Sequence, residues 1–469
     1  MATWKVTHPP TSLLLVGQTP KIAKPFAAVL DADAVLVGND ALGDSVLRVA
    51  DNNLGALLNS ATVSRASEVS VEDQIRPLNR ITLAYDPNTP LQRNEVEALG
   101  VDIEEDYKQG AFLTVKLRPG TQVDQAFVLK LEALTGLVYG SPSFSVNALP
   151  PPGRGPLAPP RVALSNTPND PMRSEQWGLA AIDVETAWNK VQGSNQIVVA
   201  VIDTGVDYTH PDLHDNMWQS TAGTFGKNFV DSNDDPMDDA GHGTHVAGII
   251  GAVGNNGVGV AGVNWEVKLM ALRWLNRFGQ GEILNAVKAI DFAVSNGARI
   301  INASWYWYNE EPILDAAIKR ANDAGVLFVV AAGNFALWPH NNDGDNDKLD
   351  TRGRYPSCLN EPNVVAVGAI REGFARASFS HWGKLTVDLF APGESIKSTY
   401  AQQQYFTDSG TSMAAPYVSG ALALVMAHPT HANAGHLLIK DLVLDNVNKR
   451  AEYTDRCRSE GTLSLAFLQ

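Results

Sequence analysis

Gly410-Thr411-Ser412-Met413-Ala414-Ala415-Pro416 leads directly into an apolar, small-residue run over 417–427. A glycine, two hydroxyl residues and a nearby proline read as a tight loop feeding a helix. The proline is expected in the first helical turn, where its missing N–H costs nothing. A hydroxyl at a helix start faces unpaired N–H groups and the positive end of the helix dipole, which favour negative charge there. That is a seat for a nucleophile whose attack generates an oxyanion. An isolated serine at such a place is more often an ordinary N-cap. The nucleophile reading therefore requires a base, an acid to orient it and an oxyanion donor elsewhere in the chain.

Upstream, beyond Gln176-Trp177-Gly178, apolar strands and helical patterns alternate. Strands are predicted over 197–202, 267–275, 300–304, 326–332, 364–370 and 387–390. Helices are predicted over 181–191, 242–251, 283–296, 313–324, 412–427 and 435–447. Nearly continuous apolar strands between helices imply an α/β fold, a doubly wound and mostly parallel sheet covered on both faces. Sites in such sheets form beyond the carboxyl ends of the strands. Asp203 and Asn334 both follow directly on an apolar strand.

Of ten histidines, His242 has the context of a base, in Gly241-His242-Gly243-Thr244-His245-Val246-Ala247-Gly248. Its glycine neighbours allow close backbone approach, and the helix that follows fixes the ring. An alternative takes His242 and His245 as a zinc pair, but zinc wants a third ligand and the sequence offers no obvious one. Val201-Ile202-Asp203-Thr204-Gly205 puts a carboxylate at a strand end, able to hold the tautomer of a histidine base. Val330-Ala331-Ala332-Gly333-Asn334 aims an amide from another strand end, a donor to a developing oxyanion. Each stretch alone has a bland reading as a turn or cap. Four of them, in the order Asp, His, Asn, Ser and each at an element end, point to acyl transfer.

With those residues in place, the chain resembles the subtilisin-like serine proteases, the subtilase family. The matching stretches are 201–207, 241–248, 331–334 and 410–416, within a resemblance covering about 176–468. It implies a serine endopeptidase acting through an acyl-enzyme: Ser412 as nucleophile, His242 as general base, Asp203 as its orienting acid, and Asn334 with the Ser412 N–H as oxyanion hole. A two-lobed aspartic protease is the competing class, since Asp203-Thr204-Gly205 and Asp408-Ser409-Gly410 form the triplets it would show. Such proteins are almost wholly β, and that reading leaves the His242 and Ser412 motifs unexplained. A pseudoprotease that uses its groove only for binding is the remaining alternative.

The resemblance also implies calcium. Gln176, Asp212 and Asn256, with the carbonyls of Val258 and Val260, resemble the family's strong site. Asn228, Asp231, Asn233 and Asp235 resemble a second, thermitase-like loop. Asp343, Asp345 and Asp347 form a third candidate on alternation alone. Six or more oxygens at flexible distances suit calcium, and a solvated acidic loop is the alternative for each. Ser304-Trp305-Tyr306 stands where the family usually has Ser-Leu-Gly along the primary pocket. Gly279 and Gly281 lie on the opposite edge, and Ala331 and Gly333 lie beside Asn334. Trp305 is expected to keep the pocket wall apolar and Tyr306 to crowd its entrance, narrowing preference.

The rest of the chain divides by composition. Residues 1–77 are an extension without a motif, read as a small αβ segment or a leader. Residues 78–148 read as β-α-β-β-α-β, a small ferredoxin-like α+β domain, with strand 81–85, helix 91–99, strand material 106–117 around Gly110, helix 123–134 and a last strand from 137–139 with 144–146. The resemblance makes this segment an inhibitory pro-domain whose tail, 145–149, lies across the substrate groove as an added strand. An interaction domain is the runner-up. A proline-rich linker over 149–170 would hold the maturation point, although Pro150 is a poor residue after a cleavage at Leu149, and 171–469 would be the catalytic domain. A net charge of −15 argues against nucleic acid or acidic membrane as partner. No run is long enough to span a membrane, and no secretory signal pattern is visible, although the resemblance suggests export. Polypeptide substrates and the chain's own pro-domain are the expected partners of a monomer. Cys358 and Cys457 are either one bridge or two thiols.

Overall fold

The computed structural model describes residues 80–121, 123, 127, 130–131, 133–142, 145–147, 167–307, 311–334, 344–347 and 354–469, with strand backbone at 11–16, 35–39, 45–50, 66–68 and 76–77. The chain divides into two compact units, 1–145 with 309–313 and 146–308 with 314–469.

The larger unit is built on a nine-stranded sheet. Its spatial order is Gly226–Asn228, Glu266–Arg273, Gly193–Asp203, Ile300–Ala303, Leu327–Ala331, Val364–Ile370, Leu389–Pro392, Gly461–Thr462 and Asn448–Lys449. Every neighbouring pair is parallel except the last. The three strands from Ile300 to Ile370 are buried at every residue, as β-branched runs covered on both faces must be. Each fully buried Val or Ile contributes about 1.5–3 kcal/mol. The order steps outward on either side of Gly193–Asp203, so the ends of that strand and its neighbours open into a crevice.

Thr411–Ala427 is the central helix, packed against five of these strands and against the helix His242–Gly251. It is apolar all round, and from Thr411 to Met426 only Ser412 is not buried. Gly420 sits so close to Val263 that an added Cβ would come within 2.7 Å of the valine Cβ. Pro416 is not in the first turn as expected, because the helix already starts at Thr411. Its missing N–H therefore deprives the Ser412 carbonyl of an intrahelical donor. The Ser304 hydroxyl takes that place, donating to Ser412 O at 2.8 Å.

The remaining strands and helices follow the alternation read from the sequence, with one break. The helix expected over 181–191 is two short helices, Trp177–Ala181 and Val184–Trp188, because Asp183 between them adopts the left-handed conformation (φ 57°).

In the smaller unit, Arg80–Tyr85, Val101–Tyr107, Phe112–Leu117 and Leu137–Pro142 form an antiparallel four-stranded sheet in the order second, third, first, fourth. That is the order of a ferredoxin-like arrangement. Its first helix is Arg93–Glu97; most of the expected second helix lies outside the described residues. The strand material around Gly110 is two strands of a hairpin, with Ala111 in the turn at φ 54°. Among the described residues of 1–77, five short strands pair into an antiparallel sheet. No helix among the described residues is long and apolar enough to cross a membrane.

Candidate active site

Asp203 ends the strand Gly193–Asp203 and His242 opens the helix His242–Gly251. The backbone brings them together because two glycines remove what would keep them apart. A Cβ at Gly243 would lie 2.1 Å from the Gly205 carbonyl oxygen and 3.0 Å from the Asp203 Cβ. Gly205 itself needs φ +108° and passes beside the Pro236 carbonyl. The result is a hydrogen bond from His242 Nδ1 to Asp203 Oδ1 at 2.7 Å. Asp203 is completely buried while the His242 side chain keeps 22% of its surface exposed, so Nε2 is the nitrogen available for chemistry. Asp203 Oδ1 also accepts Thr204 N at 2.8 Å. Burial pulls the His242 pKa down, but the Asp203 charge, the hydrogen bond to it and the charges of Asp408 and Asp238 outweigh that pull and raise it above its ordinary value.

His245, one turn further, is no metal ligand. Its Nε2 faces the carbonyls of Ile396 and Phe406 at 3.0 and 3.2 Å. Its pKa is pushed down to about 3, by burial first and then by the neighbouring His242. It is a neutral pin between its helix and the hairpin of Ile396–Tyr400 and Gln404–Asp408. The same hairpin holds the helix through Ser398 and Thr399, whose hydroxyls donate to the carbonyls of His245 and Thr244.

On the other side of the crevice, Thr411 organises the oxyanion donors. Its N–H and hydroxyl both donate to Asn334 Oδ1 at 2.9 Å, and its hydroxyl accepts Gly333 N at 3.2 Å. With the amide oxygen anchored, Asn334 Nδ2 is turned toward Gly410. The Ser412 N–H, in the first helical turn, has no intrahelical acceptor. Ser412 Oγ donates to Ser304 O at 3.0 Å and makes no hydrogen bond to His242. A relay of buried polar groups, Ser419 to Asn302 to Ser304, stands behind it.

The residues expected along the substrate groove behave unevenly. Trp305 does not simply form an apolar wall: its Nε1 donates to Ile202 O at 2.8 Å and its ring packs edge-on against Trp274. Tyr306 is buried rather than turned to solvent, and its hydroxyl donates to Asn334 O at 3.3 Å. Arg354, which the sequence does not single out, lies with its guanidinium 5.4 Å from the centre of the Tyr306 ring and its side chain beside Gly333. Ala331 is buried at its strand end. Gly279 and Gly281 flank and join the strand Gln280–Glu282, which pairs with the strand Ser145–Asn147 in a two-stranded sheet. Val146 and Asn147 of that pair belong to the larger unit.

The three acidic loops also differ. Around 254–260, Asp212 Oδ1 accepts Asn256 Nδ2, and Oδ2 accepts Val260 N and the Tyr405 hydroxyl. Asp170 was not anticipated, yet it accepts Asn255 N and Asn256 N of the same loop. Both carboxylates are buried. Burial, and to a smaller extent the charge of Asp170, push the Asp212 pKa up to about 6. Gln176 braces the same loop: its Oε1 accepts Ala261 N and its Nε2 donates to Ala261 O. In the second loop, Asn228 Oδ1 accepts Val230 N and Asp231 N, Asn233 accepts Asp235 N, and Asp235 accepts Met237 N and the Tyr208 hydroxyl. Asp347, of the third candidate, accepts the backbone N–H groups of Leu385 and Thr386, and Asp343 lies outside the described residues. Among the described residues no three acidic, histidine or cysteine side chains cluster as a metal site. Cys358 and Cys457 are two separate thiols, both raised to about 11 by burial.

A parallel sheet bearing a carboxylate–imidazole pair, an anchored amide and a serine at a helix start is an arrangement whose groups suit acyl transfer. The profile of the subtilase family matches residues 194–461, and the chain belongs to that family. The two-aspartate reading falls with this, since the sheet is parallel and Asp203 is engaged by His242. The chain is 40% identical over 257 residues to the major intracellular serine protease of Bacillus subtilis, covering 54% of this chain and 75% of that one. It is 39% identical over 260 residues to the thermophilic serine proteinase of a Bacillus species, covering 55% and 59%, and 32% identical over 317 residues to subtilisin-like protease 1 of Plasmodium vivax, covering 61% and 50%. It thus spans 59% and 50% of the length of these last two relatives. Among solved structures it is similar to fervidolysin from Fervidobacterium pennivorans, a keratinolytic enzyme related to subtilisin, with a TM-score of 0.68 and 26% identity over 83% of this chain and 60% of that one.

Proposed function

We propose that this protein is a serine endopeptidase that cleaves polypeptides through an acyl-enzyme. The observation that carries the reading is the 2.7 Å bond between His242 Nδ1 and the buried Asp203, on the same sheet edge as Ser412 and Asn334. Rotation of the Ser412 side chain away from Ser304 O hands its hydroxyl to His242 Nε2. Oγ then attacks the scissile carbonyl while its proton passes to the imidazole. Asp203 stabilises the imidazolium, and Asn334 Nδ2 with the Ser412 N–H receive the oxyanion. The imidazolium gives its proton to the leaving amine, and water repeats the sequence to release the acid. Turnover of a fluorogenic peptide, together with labelling of Ser412 by a fluorophosphonate, tests the reading. Absence of both in folded protein would point to a binding-only groove.

The buried Tyr306, fixed on Asn334 and beside Arg354, supports a narrower preference for the residue before the cut bond than an open pocket would give. Family membership supports an N-terminal segment that inhibits by lying along the substrate edge. Separately produced 78–148 is then expected to inhibit the remainder of the chain.

Calcium is expected from family membership, and the first loop fits it best. Asp170 and Asp212 are buried together, neither is ion-paired among the described residues, and each oxygen donor suits a hard cation. Asn256 and the carbonyls of Val258 and Val260 complete the set; bound calcium would supply the charge that the two carboxylates lack. Because the folded Asp212 pKa lies above its ordinary value, the metal-free protein loses stability as pH rises from about 4 to about 6. Calcium at 100 times its dissociation constant would return about 2.7 kcal/mol, read as a rise in Tm at pH 7 that shrinks below pH 6 as Asp212 takes up a proton. An unchanged Tm on chelation removes the site.

A further inference from the structure

Asp238 stands four residues before His242 and is none of the reacting groups above. Its side chain is buried. Oδ1 accepts Thr204 Oγ1 at 3.0 Å, Ala240 N at 2.9 Å and Gly241 N at 2.9 Å. Oδ2 accepts Thr244 N at 2.9 Å and Thr244 Oγ1 at 2.6 Å. Five donors thus converge on one carboxylate.

An N-cap would need only the helix N–H groups. This carboxylate also reaches across to Thr204, the residue after Asp203. The Thr204 hydroxyl in turn accepts Gly243 N, the residue after His242, at 3.0 Å. Thr244 Oγ1 closes a second link by accepting Asp207 N at 2.9 Å. The strand end that carries Asp203 and the helix start that carries His242 are therefore joined through a single buried group. An amide of the same shape cannot replace it, because its NH2 would face either Thr244 N–H or the N–H groups of Ala240 and Gly241.

The geometry points to Asp238 as a positioning residue that holds Asp203 and His242 in register. This rests on the peptidase reading and adds to Asp203 a second carboxyl-group role, separate from the reacting groups. The charged groups around His242 are Asp203 from its strand, Asp408 from the hairpin and Asp238 from its own loop, with His245 neutral behind it. Removing the Asp238 charge therefore lowers the His242 pKa, and looser alignment with Asp203 acts in the same direction.

The test uses the full chain carrying Asp238→Asn, Thr204→Val and both together, with active sites counted by fluorophosphonate titration. Asp238→Asn is expected to lower kcat about 10- to 100-fold with KM changed less than about twofold, as misalignment away from the reacting atoms does. The acid limb of its pH profile moves to lower pH. Thr204→Val, which changes no charge, lowers kcat by about tenfold, and the double variant is no worse than Asp238→Asn alone because both cut the same link. Wild-type kcat per titrated site with an unmoved acid limb overturns the inference, even if Tm falls, since that is the behaviour of a simple cap. Where Asp238→Asn does not fold, unchanged kcat in Thr204→Val overturns it equally. Activity persisting in Ser412→Ala would instead sink the peptidase reading itself.

Discussion

On the base side of the crevice Asp203 and His242 already meet at 2.7 Å, whereas on the nucleophile side Ser412 Oγ is spent on Ser304 O at 3.0 Å. The first pair is part of the folded structure, locked by Thr204, Gly243 and Asp238. The second hydroxyl rests on a backbone carbonyl, and the proposed mechanism turns it to His242. The difference separates two kinds of preparation: charge alignment held by buried hydrogen bonds, and a hydroxyl that the proposed mechanism turns from one acceptor to another.

The comparison breaks most easily at its largest expected effect. Ser412→Ala should lose on the order of 10⁶ in kcat, a magnitude taken from subtilisin itself rather than from this geometry, and measurable turnover by the folded variant would remove the nucleophile side altogether. Asp203→Asn should cost about 10⁴. Its pH profile sharpens the point about the base side. Only the neutral imidazole accepts the serine proton, so activity falls as pH drops through the His242 pKa. With that pKa raised, the acid limb of wild type lies above pH 6.5 and moves down when Asp203 is neutral. A limb that stays in place would mean that Asp203 does not set the base. Asn334→Ala should cost about 10²–10³ in kcat with KM nearly constant, again the subtilisin magnitude; a change confined to KM would make Asn334 a binding residue. The smallest effect belongs to Ser304→Ala. It removes the donor that replaces Pro416's missing N–H but keeps the carbonyl on which Ser412 rests. A loss of about 1–3 kcal/mol in stability is expected from the orphaned partners, with less than a tenfold change in kcat. A larger kinetic loss would show that the nucleophile side is as tightly prepared as the base side.

Much of this was legible in the chain. The apolar strands at 300–304, 326–332 and 364–370 and the glycines around His242 report backbone requirements that local residue types express directly. The Asp203–His242 contact follows from them once the strands are parallel. Asp238 and Asp170 were not legible, because a carboxylate in an acidic loop looks the same whether it is solvated or buried among N–H donors from elsewhere. The bonds of Gln176 to Ala261 were not legible for a related reason: an amide oxygen suits a cation and a backbone N–H equally, and only the fold brings Ala261 beside it. Pro416 was placed one turn too early because helix starts are set by the loop before them, here Gly410 folded against Asn334.

Ser412 is the one residue from Thr411 to Met426 that is not buried, so the reactive hydroxyl is mounted on the innermost helix of the larger unit. Core helices open to amide exchange only with the whole domain, while loops and edges open far sooner. Heating should therefore leave the nucleophile in place until that unit unfolds as a whole. Residual activity and loss of helical signal are expected to trace one curve, with no earlier inactive but folded stage.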